Sequence, residues 1–540
     1  MSEIRRLSEH DWRNVRYAQQ KFSLRLEDLE QFPRELDILL SCEGSYETFD
    51  EAVKNCPQLL VLSLRNAYKT IGYNVDDLAE SGDLEDLALM VRARIGSTFE
   101  TMKSYLKALH PSEVEVLSPE MINAFRREAT ITMDERYGHL FALWSEAEHG
   151  LSDAELSEYF MARGPVGTEC LSTYFDSARV GLVNVPLRDA VDGLAHRIKK
   201  NWVSFKERMQ ETIVSAVDPE HGNIEKQRFF ADNCFFRFNG TEAFMLYRQT
   251  FMEEGNQVLA TDEEYSENIE DMETNGIQVD RIPVAEDQIH FLHDLRARFQ
   301  GGEKYDYILV SDLSRYGNSY PLEAIAKLRD EYSPGTRIIV DACQSAGRRK
   351  LDMNSCGADA VILSTTKGAD LDQGLGVLLL AGPQPRHEAR DLNGSAPPEN
   401  MTRTAFALNP SAFSDEELNL PGNLKPLILN PEQRNVALRE LAEKFQSFVR
   451  TINDDYEEEK IEIMGARYDD PVHAFEIKVK GVKRKELCAY LDQYGVFVDP
   501  HYMDPADDET IRIAFHPFMN NDSLKILGGV LCRCIDNTSA

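Results

Sequence analysis

Four short apolar runs between residues 305 and 382 constrain this chain most: "YDYILVSDL" (305–313), "TRIIVDACQ" (336–344), "ADAVILST" (358–365) and "LGVLLLAG" (375–382). Each run is continuous rather than alternating, the pattern of a strand buried on both faces. Between the first two lies "SYPLEAIAKLRDEYSPG", which has the spacing of an amphipathic helix. Strand, helix and strand in that rhythm predict a mostly parallel sheet covered by helices. Ligands of such sheets bind beyond the carboxyl ends of the strands. Asp341 and Lys367 both fall at such ends.

A length of 540 residues predicts about two to four domains. Residues 1–160 read as an all-helical accessory domain, with apolar residues at three-to-four spacing in "DLEDLALMVRARIGSTFETMKSYLKAL". In "SPEM", Ser118 suits a helix cap and Pro119 the first helical position. The texture changes at "MARGPVGTE" (161–169). A large α/β domain is expected over 166–430, with 166–190 against the active site. A small α/β domain is expected over 431–540, with strands at "HAFEIKVKG", "VFVDPHY" and "TIRIAF" and helical "RKELCAYLDQYG" among them. The polar, turn-rich stretch 381–418 predicts a long loop over a site or a subunit interface.

The net charge of -33 repels phosphate backbones and anionic lipid, so neither nucleic acid nor membrane is an expected partner. The opening "MSEIRRLSEHDWRNVRYAQQ" has no apolar core of a secretory signal. No apolar run reaches the roughly 18–20 residues that span a bilayer. Nine cysteines, an odd number with no C-x-x-C pair, argue against a disulfide scaffold and for the cytoplasm.

A carboxylate ending the buried run "RIIVD" needs a positive or hydrogen-bonding partner. Gln344 follows Asp341 by three residues, and Ser364 precedes Lys367 by three. Upstream, "FFRFNGTEAF" places Gly240, Thr241 and Glu242 between a strand and a helix, a natural phosphate cradle. A lysine amine, a carboxylate and a phosphate cup together are what pyridoxal 5'-phosphate requires.

Several segments resemble the class V aminotransferases, a family that includes cysteine desulfurases, kynureninases and isopenicillin N epimerase-like enzymes and shares fold type I of pyridoxal-phosphate enzymes. They are "YFDSARVGLVNVPLRDAV", "FNGTEAF", "SDLSRYGNSYPLEAI", "VDACQSAG", "LSTTKG", "LDQYGVFVDPHY" and "TIRIAFHPFMNNDSL". The resemblance implies a Schiff base on Lys367 and Asp341 on the pyridinium nitrogen. It implies Gln344 on the ring hydroxyl, with Thr241 and Ser364 on the phosphate above the Gly240 turn. Arg512 would clamp the substrate's α-carboxylate, and His501 and Tyr502 fall where substrate-contacting groups are expected. It also implies a homodimer.

Three positions depart from the family. Thr366 stands where many members place histidine. Tyr265, or a neighbour, takes the place of the residue that stacks on the cofactor ring. The loop "VDPHYMDPADDET" holds no cysteine, although desulfurases carry their nucleophile there. Cys488 and Cys343 read as buried small residues, and Arg315 as a surface arginine.

Glu135, His139, Glu146 and His149 fall on one helical face and include a Glu-x-x-His step like that of di-iron bundles. A solvated, charge-rich helix face is the commoner reason for such a pattern, and no metal is expected. The overall expectation is a pyridoxal-phosphate enzyme acting on an α-amino acid by elimination or side-chain cleavage. Transamination, epimerisation and a non-catalytic scaffold that binds a partner protein through the helical domain stay open.

Overall fold

The computed structural model describes residues 119–144, 160–162, 175, 182–223, 225–283, 288–314, 317–368, 375–382, 396–420, 422–456, 458–464, 474–498 and 509–539. The chain divides into two compact units. One comprises Met1–Phe125, Ala162–Leu171 and Gln493–Gly495, and the other Arg126–Met161, Ser172–Asp492 and Val496–Ala540. Nearly all described residues belong to the second.

Helix α1 (Pro119–Phe141) precedes two short paired strands, β1 (Phe160–Ala162) and β2 (Leu182–Asn184). Helices α2 (Val185–Ile198) and α3 (Trp202–Val217) lead to β3 (Phe229–Arg237) and α4 (Gly240–Phe251). There follow β4 (Gln257–Thr261), α5 (Ser266–Thr274), β5 (Gln278–Ile282), α6 (Gln288–Gln300), β6 (Tyr307–Ser311), α7 (Leu322–Tyr332), β7 (Arg337–Asp341), β8 (Ala360–Ser364) and β9 (Gly376–Ala381). These seven strands form one sheet in the order β3-β9-β8-β7-β6-β4-β5. Strand β9 runs antiparallel to both neighbours, and the remaining pairs are parallel. The mostly parallel sheet expected from the apolar runs is present.

Both faces of the sheet are buried, which explains why the runs do not alternate. Ile308, Val310, Ile338, Val340, Val361 and Leu363 point to one core, under Val191, Met209, Phe291, Ile325 and Phe406. Leu309, Ile339, Ala360, Ile362 and Leu378 point to the other, under Phe244, Tyr247, Ile269 and Met272. Each such side chain is worth about 1.5–3 kcal/mol on burial, so the two cores hold the sheet far more firmly than any single polar contact.

Two expectations are corrected. Residues 398–408 are not loop but helix α8 (Pro398–Leu408), whose Met401, Ala405 and Phe406 enter the first core. The polar, proline-rich lead-in hid a helix that begins on proline, a residue suited to a first turn. After α9 (Asp415–Leu418) and α10 (Pro431–Asp454) comes β10 (Ile461–Ile463), followed by β11 (Ala474–Val479), α11 (Arg484–Gln493), β12 (Thr510–Ala514) and α12 (Asn521–Ser539). The small antiparallel sheet is β10-β11-β12. Strand β10 is too short for a periodic signal; Asn453 at the end of α10 fixes it, accepting from the Lys460 and Ile461 amides at 2.9 Å. Residues 496–498 form no strand; the Phe497 carbonyl accepts from the Phe175 amide instead.

Helix α1 stacks on α10 and α12. Tyr137 and Phe141 meet Phe448 at 5.6 and 5.4 Å between ring centroids, and Lys525 pairs with Asp134. The other residues of the expected helical domain, 1–118 and 145–159, lie outside the described residues.

At the edge of the large sheet, β3 ends in register with Gly376 of β9, and the turn into α4 folds over that glycine. A Cβ at Gly376 would fall on the Asn239 carbonyl. Gly376→Ala is therefore expected to lower the melting temperature by roughly 5 °C through overpacking. An unchanged melting curve would show that the turn can move aside.

Candidate active site

A cavity of about 270 Å³ opens at the carboxyl ends of the parallel strands. Asn239, Gly240 and Thr241 come from the turn after β3, and Ser364, Thr366 and Lys367 from the end of β8. Asp341, Cys343 and Gln344 follow β7, while Glu263, Tyr265 and Asn268 follow β4. Ser311 and Leu313 complete the lining. The structure thus brings Gly240, Thr241, Asp341, Gln344, Ser364 and Lys367 together, although they are far apart in sequence.

The strand register sets the floor. Asp341 lies beside Ser311 of β6 and Ile362 of β8. Its Oδ1 accepts from the Cys343 amide at 2.8 Å, and Asn268 Nδ2 approaches its Oδ2 at 3.5 Å. Gly240 begins α4, where Asn239 caps by accepting from the Glu242 amide at 2.8 Å. A Cβ at Gly240 would lie 2.5 Å from Cys343 Sγ, so the helix start packs closely on the floor and a larger residue would have to displace that thiol. Ser364 and Thr366 hydroxyls stand 3.4 Å apart beside Lys367.

Three residues of the α5 approach were not expected. Glu263 is buried and accepts from Asn318 at 2.7 Å and Tyr320 at 3.1 Å. Burial pushes its carboxyl upward against the pull of these donors. Glu264 is buried and accepts from the Ser311 amide at 2.7 Å, Ser311 Oγ at 2.8 Å and Thr261 Oγ1 at 3.0 Å. Burial first, then the charge of Asp341, pushes Glu264 up to about 8. Asn268 is 2% exposed, and its Oδ1 meets no protein donor. The run "DEEYSEN" offered a sign, since a pair of glutamates directly after a buried strand needs an explanation.

Other expected site residues lie elsewhere. Arg512 is buried in β12 opposite Glu476 and is not among the cavity-lining residues. His501, Tyr502, Met503 and Arg315 lie outside the described residues, as do Glu146 and His149. Glu135 and His139 are exposed on α1. Cys488 is buried within α11.

Residues 228–395 match the family model described as "Aminotransferase class-V". No curated protein matches the sequence. Among solved structures, the chain is similar to a NifS-like protein from Rickettsia africae, with TM-score 0.50, 14% identity and coverage of 67% of this chain and 99% of that one. It is also similar to the cysteine desulfurase CsdA from Escherichia coli, with TM-score 0.52, 13% identity and coverage of 72% and 98%. A third is a mutant of C-DES with glycine covalently linked to its PLP cofactor, with TM-score 0.50, 15% identity and coverage of 67% and 96%. Residues 228–395 thus match the class V aminotransferase model, within a fold shared with these solved structures.

The cavity fits the cofactor of that class. Asp341 brings a carboxylate to the lining, and Asn268 Oδ1 is a buried acceptor with no protein partner. The α4 N-terminus presents amides to an anion.

Glu264 makes a pH prediction. Its folded pKa, about 8, exceeds the ordinary value of 4.5. Its contribution to stability is full below about pH 4.5 and falls as pH rises to about 8, because the unfolded chain sheds a proton that the folded chain keeps. Glu264→Gln should lack this loss, so its melting temperature relative to wild type should climb between pH 5 and 8. Parallel curves for the two proteins would mean that Glu264 ionises normally.

Proposed function

We propose that the protein is a pyridoxal-phosphate-dependent enzyme that cleaves or eliminates the side chain of an α-amino acid without a catalytic cysteine. The observation that carries this is the meeting of Lys367, Asp341, Gln344, Thr241 and Ser364 in one cavity. The class V match and the cofactor named for the C-DES neighbour support pyridoxal 5'-phosphate. When bound, that group withdraws electrons from the substrate's Cα.

Lys367 supplies the amine that holds the cofactor covalently. Its amine would also take the substrate's Cα proton. Asp341 would hold the ring nitrogen through its carboxylate, and Gln344 would bind the ring oxygen. Thr241, Ser364 and the α4 amides take the phosphate, and Tyr265 packs beside the ring. Arg512 is assigned to the substrate's α-carboxylate, whose two oxygens suit a planar guanidinium, and His501 to the substrate's other end. Cys343 does not serve as a thiolate: burial and the Asp341 charge push its thiol well up, with Lys367 opposing. We further propose a cytoplasmic homodimer, with residues 1–160 as a helical accessory domain open to a partner protein, 166–430 as the cofactor domain and 431–540 as the small domain. Among the described residues no helix is long and apolar enough to cross a membrane.

The test is an absorbance titration with L-amino acids, beside Lys367→Ala and Asp341→Asn. Wild type should show a visible band that Lys367→Ala lacks. One amino acid should shift that band and release its side-chain fragment. Asp341→Asn should stay coloured and turn over at least about 100-fold more slowly. A protein colourless in excess pyridoxal phosphate would overturn the cofactor reading. A 2-oxo acid formed with the side chain intact would redirect it to transamination, and an inverted Cα to epimerisation.

A further inference from the structure

Two buried arginines brace the loops that carry the cavity floor. Arg348 and Arg434 are each 2% exposed, a burial rare for arginine. Arg348 lies on the turn that leaves Asp341. Its Nη1 donates to Gln344 Oε1 at 2.7 Å and to the Gln344 carbonyl at 3.0 Å. Its Nη2 donates to the Lys367 carbonyl at 2.8 Å. Arg434, near the start of α10, donates to the carbonyls of Gly347, at 3.1 Å, and Gly368. A side chain at Gly368 would block this arrangement, since its Cβ would fall on the Ala346 carbonyl and 2.8 Å from Arg348 Cγ. Arg349 turns away, donating to Asp312 at 3.1 Å and to Ser319 at 2.8 Å.

The bond to Oε1 determines which end of the Gln344 amide faces the cavity. An amide has one accepting and one donating end. With the oxygen held by a charged donor, the NH2 end is the one able to donate to a group in the cavity that Gln344 lines. We infer that Arg348 is a positioning residue, which orients the Gln344 amide donor-first toward the bound cofactor, with Arg434 holding the same loops to α10. The inference rests on the cofactor reading proposed above. Arg348 lines no part of the cavity and acts through Gln344. An N–H facing a ring oxygen favours that oxygen's anionic form, so the pH midpoint of the visible band reports the orientation.

The test is a double-mutant cycle on the full chain: wild type, Arg348→Met, Gln344→Ala and the double variant. Two quantities are read, the pyridoxal phosphate dissociation constant by equilibrium dialysis and the pH midpoint of the visible band. Arg348→Met should weaken cofactor binding about tenfold, as expected for a lost charge-assisted bond, and move the midpoint. In the Gln344→Ala background the midpoint shift should vanish. Arg348→Lys keeps the charge but loses the fork, and should move the midpoint in the same direction by less. If Arg348→Met does not fold, Arg348→Lys carries the cycle under the same criteria. Midpoint shifts that add in the double variant, or a midpoint unmoved while only the melting temperature drops, would overturn the inference alone. A wild type with no visible band would overturn the cofactor reading and this inference with it.

Discussion

Strand β7 sits between β6 and β8 with Asp341 beside Ser311 and Ile362, and the rest of the cavity depends on that register. A slip of one residue would exchange the two faces of a strand buried on both sides and drive a carboxylate into an apolar core. Once the register is set, Ser311 is where Glu264 can reach it, Asn268 is where it can approach Asp341, and Lys367 follows β8 by three residues.

Charge at the floor is kept low by the same packing. Asp341 and Glu264 are close enough to interact, and two ionised carboxyls there would repel each other. Burial pushes Glu264 up to about 8, so below that pH its carboxyl keeps its proton and the repulsion is relieved. The donors of Ser311 and Thr261 hold Glu264 across the ends of β4 and β6, and that anchor carries Glu263, Tyr265 and Asn268 into the lining. The walls of the site also rest on Arg348 and Arg434.

Helix α10 joins two regions that the sequence reading treats separately. Near its start, Arg434 holds the loops around Gly347 and Gly368; further along, Phe448 receives Tyr137 and Phe141 of α1. Gly528 lets the Phe448 ring lie against α12, where any Cβ would collide with it. Helix α10, 24 residues long, thus touches both α1 and the loops of the cavity.

The sequence by itself determined the sheet, its parallel sense and the edge at which a ligand would sit, because fully buried strands leave a continuous apolar signal. It also marked Lys367, Asp341, Gln344, Thr241 and Ser364, because each stands at a strand end or helix start, where a local pattern is visible. It did not reveal α8 or β10, whose patterns are masked by a polar lead-in or too short to have a period. Only the tertiary structure showed that Glu264 reaches Ser311, that Asn268 approaches Asp341 and that Arg348 grips Gln344 and Lys367 at once. Those contacts join segments whose sequence separation carries no information about distance, and their energies come from burial that exists only after the strands have closed. Arg512 shows the converse: a charge in an apolar strand signals burial, but the strand's position in the small sheet decides what it can touch.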